Sequence, residues 1–225
     1  MAAQAVLPYT WLLNRVGDDG IRLTEAGHLP PAEVSAALHE LNVTAPGHGR
    51  RENHVLPVRH LRESAQATGL LRRQHGQLQL TAEGAELRSC PAALWWHLAE
   101  RMPLRSAASR EVQPGLILLV CVAARCTDAL DATIARMLSV IGWLNTDGSP
   151  LTRAEASQAT AGTYAVLRWL GALPDDPCPV PRPTPEGVTF ARAALCTWPA
   201  LARPGRRPAT VHAAATPPPS AGGRG

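Results

Sequence analysis

A chain of 225 residues is long enough for one large domain or two to three small ones, and 45% hydrophobic side chains supply a real core. The net charge is +4, all 22 basic residues are Arg, and six of the nine aromatic residues are Trp, so the core must come mainly from Leu, Val and Ala, which favours helices. The five Cys, at 90, 121, 126, 178 and 196, are odd in number and form no C-x-x-C pair; this argues against a disulfide frame or a zinc site and for reduced thiols in a cytoplasmic protein.

The opening "MAAQAVLPYTWLLNRVG" lacks the basic n-region and cleavage pattern of a signal peptide. Within it, Leu7, Trp11, Leu12 and Val16 stand at roughly helical spacing. "GDDG" at 17–20 is a turn and "IRLT" a short strand. The Pro31 start and the Val34, Ala37, Leu38 and Leu41 face predict a helix over 31–41. A second helix is predicted over 57–68, with Val58, Leu61 and Ala65 as its buried stripe, Arg59, Arg62, Glu63 and Gln66 on other faces, and Gly69 ending it. "LLRRQHGQLQLT" at 70–81 reads as strand, turn and strand with "QHGQ" at the tip. Helices follow from "AEGAELRS" and over 91–102.

The longest apolar run, "LILLVCVAA" at 116–124, is shorter than the roughly 20 residues that span a bilayer and reads as a buried helix, so no membrane partner is expected. Helices are predicted over 115–125 and 128–142, the second with a stripe of Leu130, Ile134, Met137, Leu138 and Ile141. Thr152 with Glu155 three residues on is a capping-box signature for a helix over 152–158. "ATAG" then turns the chain into a third helix over 161–170. A Pro-rich stretch stands where a hairpin would be, and a last helix starts at "EGVTFARAALCTW". From residue 203 onward the composition is that of a disordered tail.

One pattern recurs. "IRLTEAGHL" at 21–29, "LQLTAEGAEL" at 78–87 and "PRPTPEGVTFA" at 181–191 each place Thr-x-x-Gly after a strand signal and before a helix signal. In the last two, a helix ending at Gly comes first. A Thr can cap the helix that follows, and a Gly permits close packing there. The order predicts a mainly α fold with short β-hairpins, built as tandem winged helix-turn-helix-like modules over 1–110 and 111–202, followed by a disordered basic tail at 203–225. Residues 128–196 carry the most complete version and 57–88 the clearest wing, while 6–41 offer only a hairpin-like fragment.

The strings "LLNRVGDDGIRLTEAGHLPP", "LRESAQATGLLRRQHGQLQLTAEG", "ALWWHLAERMPL" and "IGWLNTDG" together resemble the C-terminal region of the plasmid ORF-three-like proteins of high-GC bacteria, some labelled resolvase-like passengers of insertion elements. The likeness spans about residues 6–196. It implies a link to mobile elements and carries over no catalytic residue. The N-terminal α/β domain usual in that family has no counterpart here.

No enzyme chemistry is expected. His48, His54 and His60 lie six apart, whereas a helical metal pair needs i and i+4, and no Cys or carboxylate pair accompanies them. The two acids of "GDDG" read as a solvated turn. Ser64, Ser89 and Ser106 lie in no G-x-S-x-G context, and "RSAASR" at 105–110 is a weak imitation of a recombinase serine among arginines. No cofactor or metal is expected, and Trp95, Trp96 and Trp143 read as core or interface residues ahead of base-stacking platforms.

Charge placement carries the functional expectation. Residues 1–49 have two Arg against five acidic residues, and residues 111–202 six against eight. Residues 50–110 have ten against five, and the tail has four Arg with no acid. Double-stranded DNA is therefore expected at the second helix and its wing, with Arg59, Arg62, Arg72, Arg73 and His75 as its contacts. The alternative is a protein-interaction module that needs no DNA, which suits the near-neutral body.

Overall fold

Ten α-helices and one small antiparallel sheet make up the described residues of the computed structural model, which are 2–43, 50–104, 112–126, 129–173 and 182–198. The chain begins with α1 (Ala2–Ala5), α2 (Leu7–Val16), β1 (Ile21–Arg22), α3 (Pro31–Glu40), a 3₁₀ turn (Glu52–His54), α4 (Leu56–Ala67), β2 (Leu71–Gln74) and β3 (Gln77–Leu80). α5 (Ala82–Leu87) and α6 (Pro91–Glu100) follow, then α7 (Val112–Ala123), α8 (Leu130–Val140), α9 (Arg153–Trp169) and α10 (Pro185–Thr197). Five of these helices carry Pro in their first two positions, where its missing N–H is no loss.

The sheet has the order β1-β3-β2. β2 and β3 form a two-residue hairpin whose tip, His75 and Gly76, has φ of +49° and +74°, the conformation that matches the twist of the strands. Leu71, Leu78 and Ile21 are buried on one face. Arg22, Arg72, Gln77 and Gln79 alternate onto the other face. β1 differs from expectation. It is not half of a local hairpin; Ile21 pairs with Leu78 and Arg22 with Gln77, more than fifty residues away. A two-residue strand has no periodicity of its own, and a distant partner supplies what it lacks.

The three Thr-x-x-Gly strings separate into two kinds. Thr24 closes a turn: its hydroxyl accepts from the His28 N–H at 3.1 Å, Gly27 takes φ +77°, and α3 begins only at Pro31. Thr81 and Thr184 instead cap α5 and α10 and repeat one set of bonds. Each hydroxyl donates to the carbonyl of the Gly that ends the preceding helix, Gly69 at 2.7 Å and Gly171 at 2.8 Å. Each accepts from the Gly three residues on, Gly84 at 2.9 Å and Gly187 at 3.0 Å. Each Thr N–H also donates to the residue after the helix-ending Gly, Leu70 at 3.1 Å and Ala172 at 3.0 Å. A Cβ at Gly84 or Gly187 would press into that same backbone carbonyl, of Leu70 or Ala172, which no rotamer can move aside. Gly84→Ala and Gly187→Ala are each expected to lose about 1–3 kcal/mol or more. Thermal unfolding checks this, and a change in stability within about 0.5 kcal/mol, the range of ordinary surface substitutions, contradicts it.

Within the segment expected as a second module, one helix departs from expectation. The segments 152–158 and 161–170 are a single α9 that runs through "ATAG". The capping box between Thr152 and Glu155 sets its start. Thr160 satisfies its hydroxyl on the Ala156 carbonyl at 3.0 Å, and one internal Gly costs a helix only about 1 kcal/mol relative to Ala. The Pro-rich hairpin at 174–181, the 110/111 boundary and the tail at 203–225 lie outside the described residues.

One continuous apolar core runs from Val6 through Ala194. α6 packs on α10, where Trp95 meets Phe190 edge-on at 5.3 Å, and α7 packs on α9 and α10. α4 packs on α9. The expected buried helix over the 116–124 run is α7, with Leu118, Leu119 and Val122 inside.

Candidate interaction surfaces

The five residues expected to contact DNA fall into three places. Arg62 is inside, only 7% exposed. Its Nε donates to Glu52 Oε1 at 2.6 Å and its Nη1 to Gln66 Oε1 at 2.5 Å. Glu52 is 1% exposed and also accepts from the Leu29 N–H at 2.9 Å, so this ion pair ties the 24–30 turn to α4. Arg62 therefore does not lie on an outer face of α4. It stands four after Val58 and three before Ala65, within the apolar stripe, and that spacing was readable in the sequence.

Arg59 lies on the outer side of α4, half-buried like Pro57, His60, Glu63 and Gln66, between the exposed Leu56 and Ala67. Toward one side α4 meets α2, α3 and β2, with Tyr9 Oη and Ser64 Oγ 2.8 Å apart in the core. Toward another it meets α9, where the Trp169 indole N–H donates to the Pro57 carbonyl at 3.1 Å. Burial lowers the pKa of His60, with Glu63 opposing and the Arg59 and Arg168 cations adding to the fall, which disfavours the charged ring beside α9. Between these two sides run Leu56, Arg59, Glu63 and Ala67, one turn apart on the helix. Arg59 Nε is 2.7 Å from Glu63 Oε1, so the exposed stripe carries no net charge.

Arg72, Arg73 and His75 are exposed together on β2 and the hairpin tip. Neither arginine has an ion-pair partner among the described residues. Arg73 lays its guanidinium against Gly27, where a Cβ would collide with it. Arg72 stands opposite Gln79, whose amide donates to Gln77 at 3.0 Å. Elsewhere in the basic segment the arginines are paired: Arg88 with Asp18 at 3.2 Å and Arg101 with Glu83 at 2.8 Å. The local excess of Arg thus reduces, among the described residues, to Arg50, Arg51, Arg72 and Arg73.

A second surface was not legible as such in the sequence. Leu130, Ile134 and Leu138 of α8 are buried, yet Ile141, expected in the same stripe, is 56% exposed. The helix ends at Val140, and Gly142 at φ +95° turns the chain away before the stripe is covered. Val140 is 81% exposed and Leu144 53%. Leu144 pairs with Pro150 across the Asn145–Ser149 turn, and between this segment and α8 lies a groove of about 650 Å³. Arg136 and Arg153 line it.

Of the tryptophans, Trp95 packs into the core and the Trp143 indole donates to Gln113 at 2.7 Å; Trp96 is half exposed. Among the described residues no group of three His, Cys, Asp or Glu side chains could hold a metal ion, and no helix is long and apolar enough to cross a membrane. His48, Ser106 and the "RSAASR" segment lie outside the described residues. Compared with known proteins, the chain matches no family model, no curated protein and no solved structure.

Proposed function

We propose that the chain is a tandem winged-helix protein that binds other proteins and does not use its recognition helix to read DNA. The order helix, strand, helix, helix, hairpin with a β1-β3-β2 sheet supports the winged-helix reading of the first unit. The repeated Thr cap and close-packed Gly support a second unit of the same kind. The observation that carries the function is the position of α4. It is the helix such a module would lay in a major groove, and α9 covers one side of it through the Trp169 to Pro57 bond while Arg62 is spent on Glu52. The exposed stripe that is left presents Glu63, which a phosphate backbone repels. Repeated selection from a random duplex DNA pool tests this. No sequence is expected to be enriched; an enriched motif whose affinity falls with Arg59→Ala overturns the proposal.

A second reading is favoured by Arg72 and Arg73, exposed beside His75 without acidic partners: weak, sequence-independent contact of the wing with duplex phosphates. Each phosphate contact contributes roughly 0.9 to the slope of log affinity against log salt. Arg72→Ala with Arg73→Ala is then expected to lower that slope by about 2 in a mobility-shift salt series. An unchanged slope removes the wing from any DNA contact. A mobile-element setting is proposed on the family resemblance alone.

A further inference from the structure

We propose that Cys121 and Cys126, at the end of α7, form a peroxide-reactive dithiol that closes to a disulfide. The site is independent of whether the chain binds protein or DNA. Its geometry comes from the way α7 stops. The Arg125 N–H donates to the Val122 carbonyl at 3.0 Å and the Cys126 N–H to the Cys121 carbonyl at 3.0 Å, with Arg125 at φ +55° between them. That pair of bonds folds the chain back so that the side chains at its two ends, Cys121 and Cys126, meet. The two thiols are in hydrogen-bond contact.

α4, α8 and α9 stop in the same way, each at a Gly with positive φ. There the two meeting positions hold apolar pairs: Ala65 with Leu70, Leu138 with Trp143, and Leu167 with Ala172. A Cys packs as a small apolar residue and can fill such a place. Two of them add what no apolar pair has, a second thiol within reach of the first.

The two sulfurs are unequal in access. Cys121 is 2% exposed, whereas Cys126 is only partly buried. Burial, with the charge and hydrogen bond of Cys126, pushes the Cys121 thiol up to about 12. Cys121 therefore stays protonated, and Cys126 is the sulfur that a small oxidant reaches. The Cys126 thiolate attacks a hydroperoxide. An S–O bond forms, the O–O bond breaks, and the departing alkoxide or hydroxide takes up the proton that Cys126 has shed. The Cys121 sulfur then attacks the Cys126 sulfenic acid. An S–S bond forms, the S–O bond breaks, and the Cys121 proton leaves with the hydroxyl as water. Two thiols lose two electrons and one peroxide gains them. The second step crosses an existing contact, so it outruns further oxidation of Cys126. A thiol reductant reverses the product.

The test uses the full chain, reduced, freed of reductant and treated with hydrogen peroxide, after which the remaining thiols are blocked with iodoacetamide. Trypsin cleaves after Arg110, Arg125 and Arg136, so the two cysteines fall on separate peptides, 111–125 and 126–136. Mass spectrometry is expected to find these peptides joined, two hydrogens lighter than their sum, and separate again after dithiothreitol. The native chain is expected to form the link about tenfold or more faster than the chain in concentrated urea, because the turn holds the sulfurs together. Neither readout needs a variant. In Cys121→Ala, dimedone is expected to label Cys126 as a sulfenic acid. Four results overturn the assignment: both peptides recovered blocked while Cys90 or Cys196 is oxidised, equal rates with and without urea, a link between two chains on a non-reducing gel, or no dimedone label on Cys126.

Discussion

Arg62→Ala is expected to cost about 3–5 kcal/mol, the range for removing one partner of a buried ion pair. The physical reason lies with Glu52, which stays behind. It is almost fully buried, and the Leu29 N–H, with the His28 Nδ1 3.3 Å from the other side of the carboxylate, does not replace a guanidinium 2.6 Å away. The carboxylate must then remain charged without its cation, take up a proton, or pull the 24–30 turn away from α4. Replacing both partners is a different change. Glu52→Gln keeps an acceptor for Leu29, and Arg62→Met fills the space without a charge, so the double variant is expected to recover most of the loss. Urea unfolding of the two variants decides it. A loss of under about 1 kcal/mol for Arg62→Ala places the pair among exposed salt bridges and returns Arg62 to the surface.

Leu61→Ala is expected to cost about 2–5 kcal/mol, whereas Gln79→Ala should cost less than about 0.5 kcal/mol. Leu61 is among the fully buried large side chains, on a helix that packs with β2. Leu78 is also fully buried, and Leu80 packs against the same core. Gln79 lies on the opposite face of β3 and bonds only to its neighbour Gln77, which solvent can replace. Denaturant unfolding of both variants checks the register of the hairpin. Equal losses, or a larger loss for Gln79→Ala, contradict it.

What could be foreseen from the residues depended on whether the interaction was local. The hairpin 71–80, the capping box at Thr152 and the caps at Thr81 and Thr184 are set within a dozen or so residues, and each was visible as a string. The pairing of β1 with β3 and the contact of α4 with α9 join residues more than fifty and a hundred positions apart, and no local pattern announces them. Arg62 is an intermediate case. Its charge invited a surface role, while its i+4 spacing from Val58 already placed it in the stripe. Ile141 erred in the other direction, because the periodicity extended one residue beyond a helix that had ended. Of the expected site, Arg72, Arg73 and His75 are exposed on the β2–β3 hairpin, the two arginines on opposite faces of it. The α8 groove depended on knowing which apolar residues remain uncovered after folding.

In the proposed reading, α9 keeps α4 out of a DNA groove. Native-state hydrogen exchange of the α4 amides and the Trp169 indole N–H, with and without saturating duplex DNA, tests it most directly. α4 and α9 are expected to open together, with one free energy, and DNA is expected to leave both unchanged. Opening of α4 alone while α9 stays protected, followed by protection of α4 when DNA is added, would contradict it.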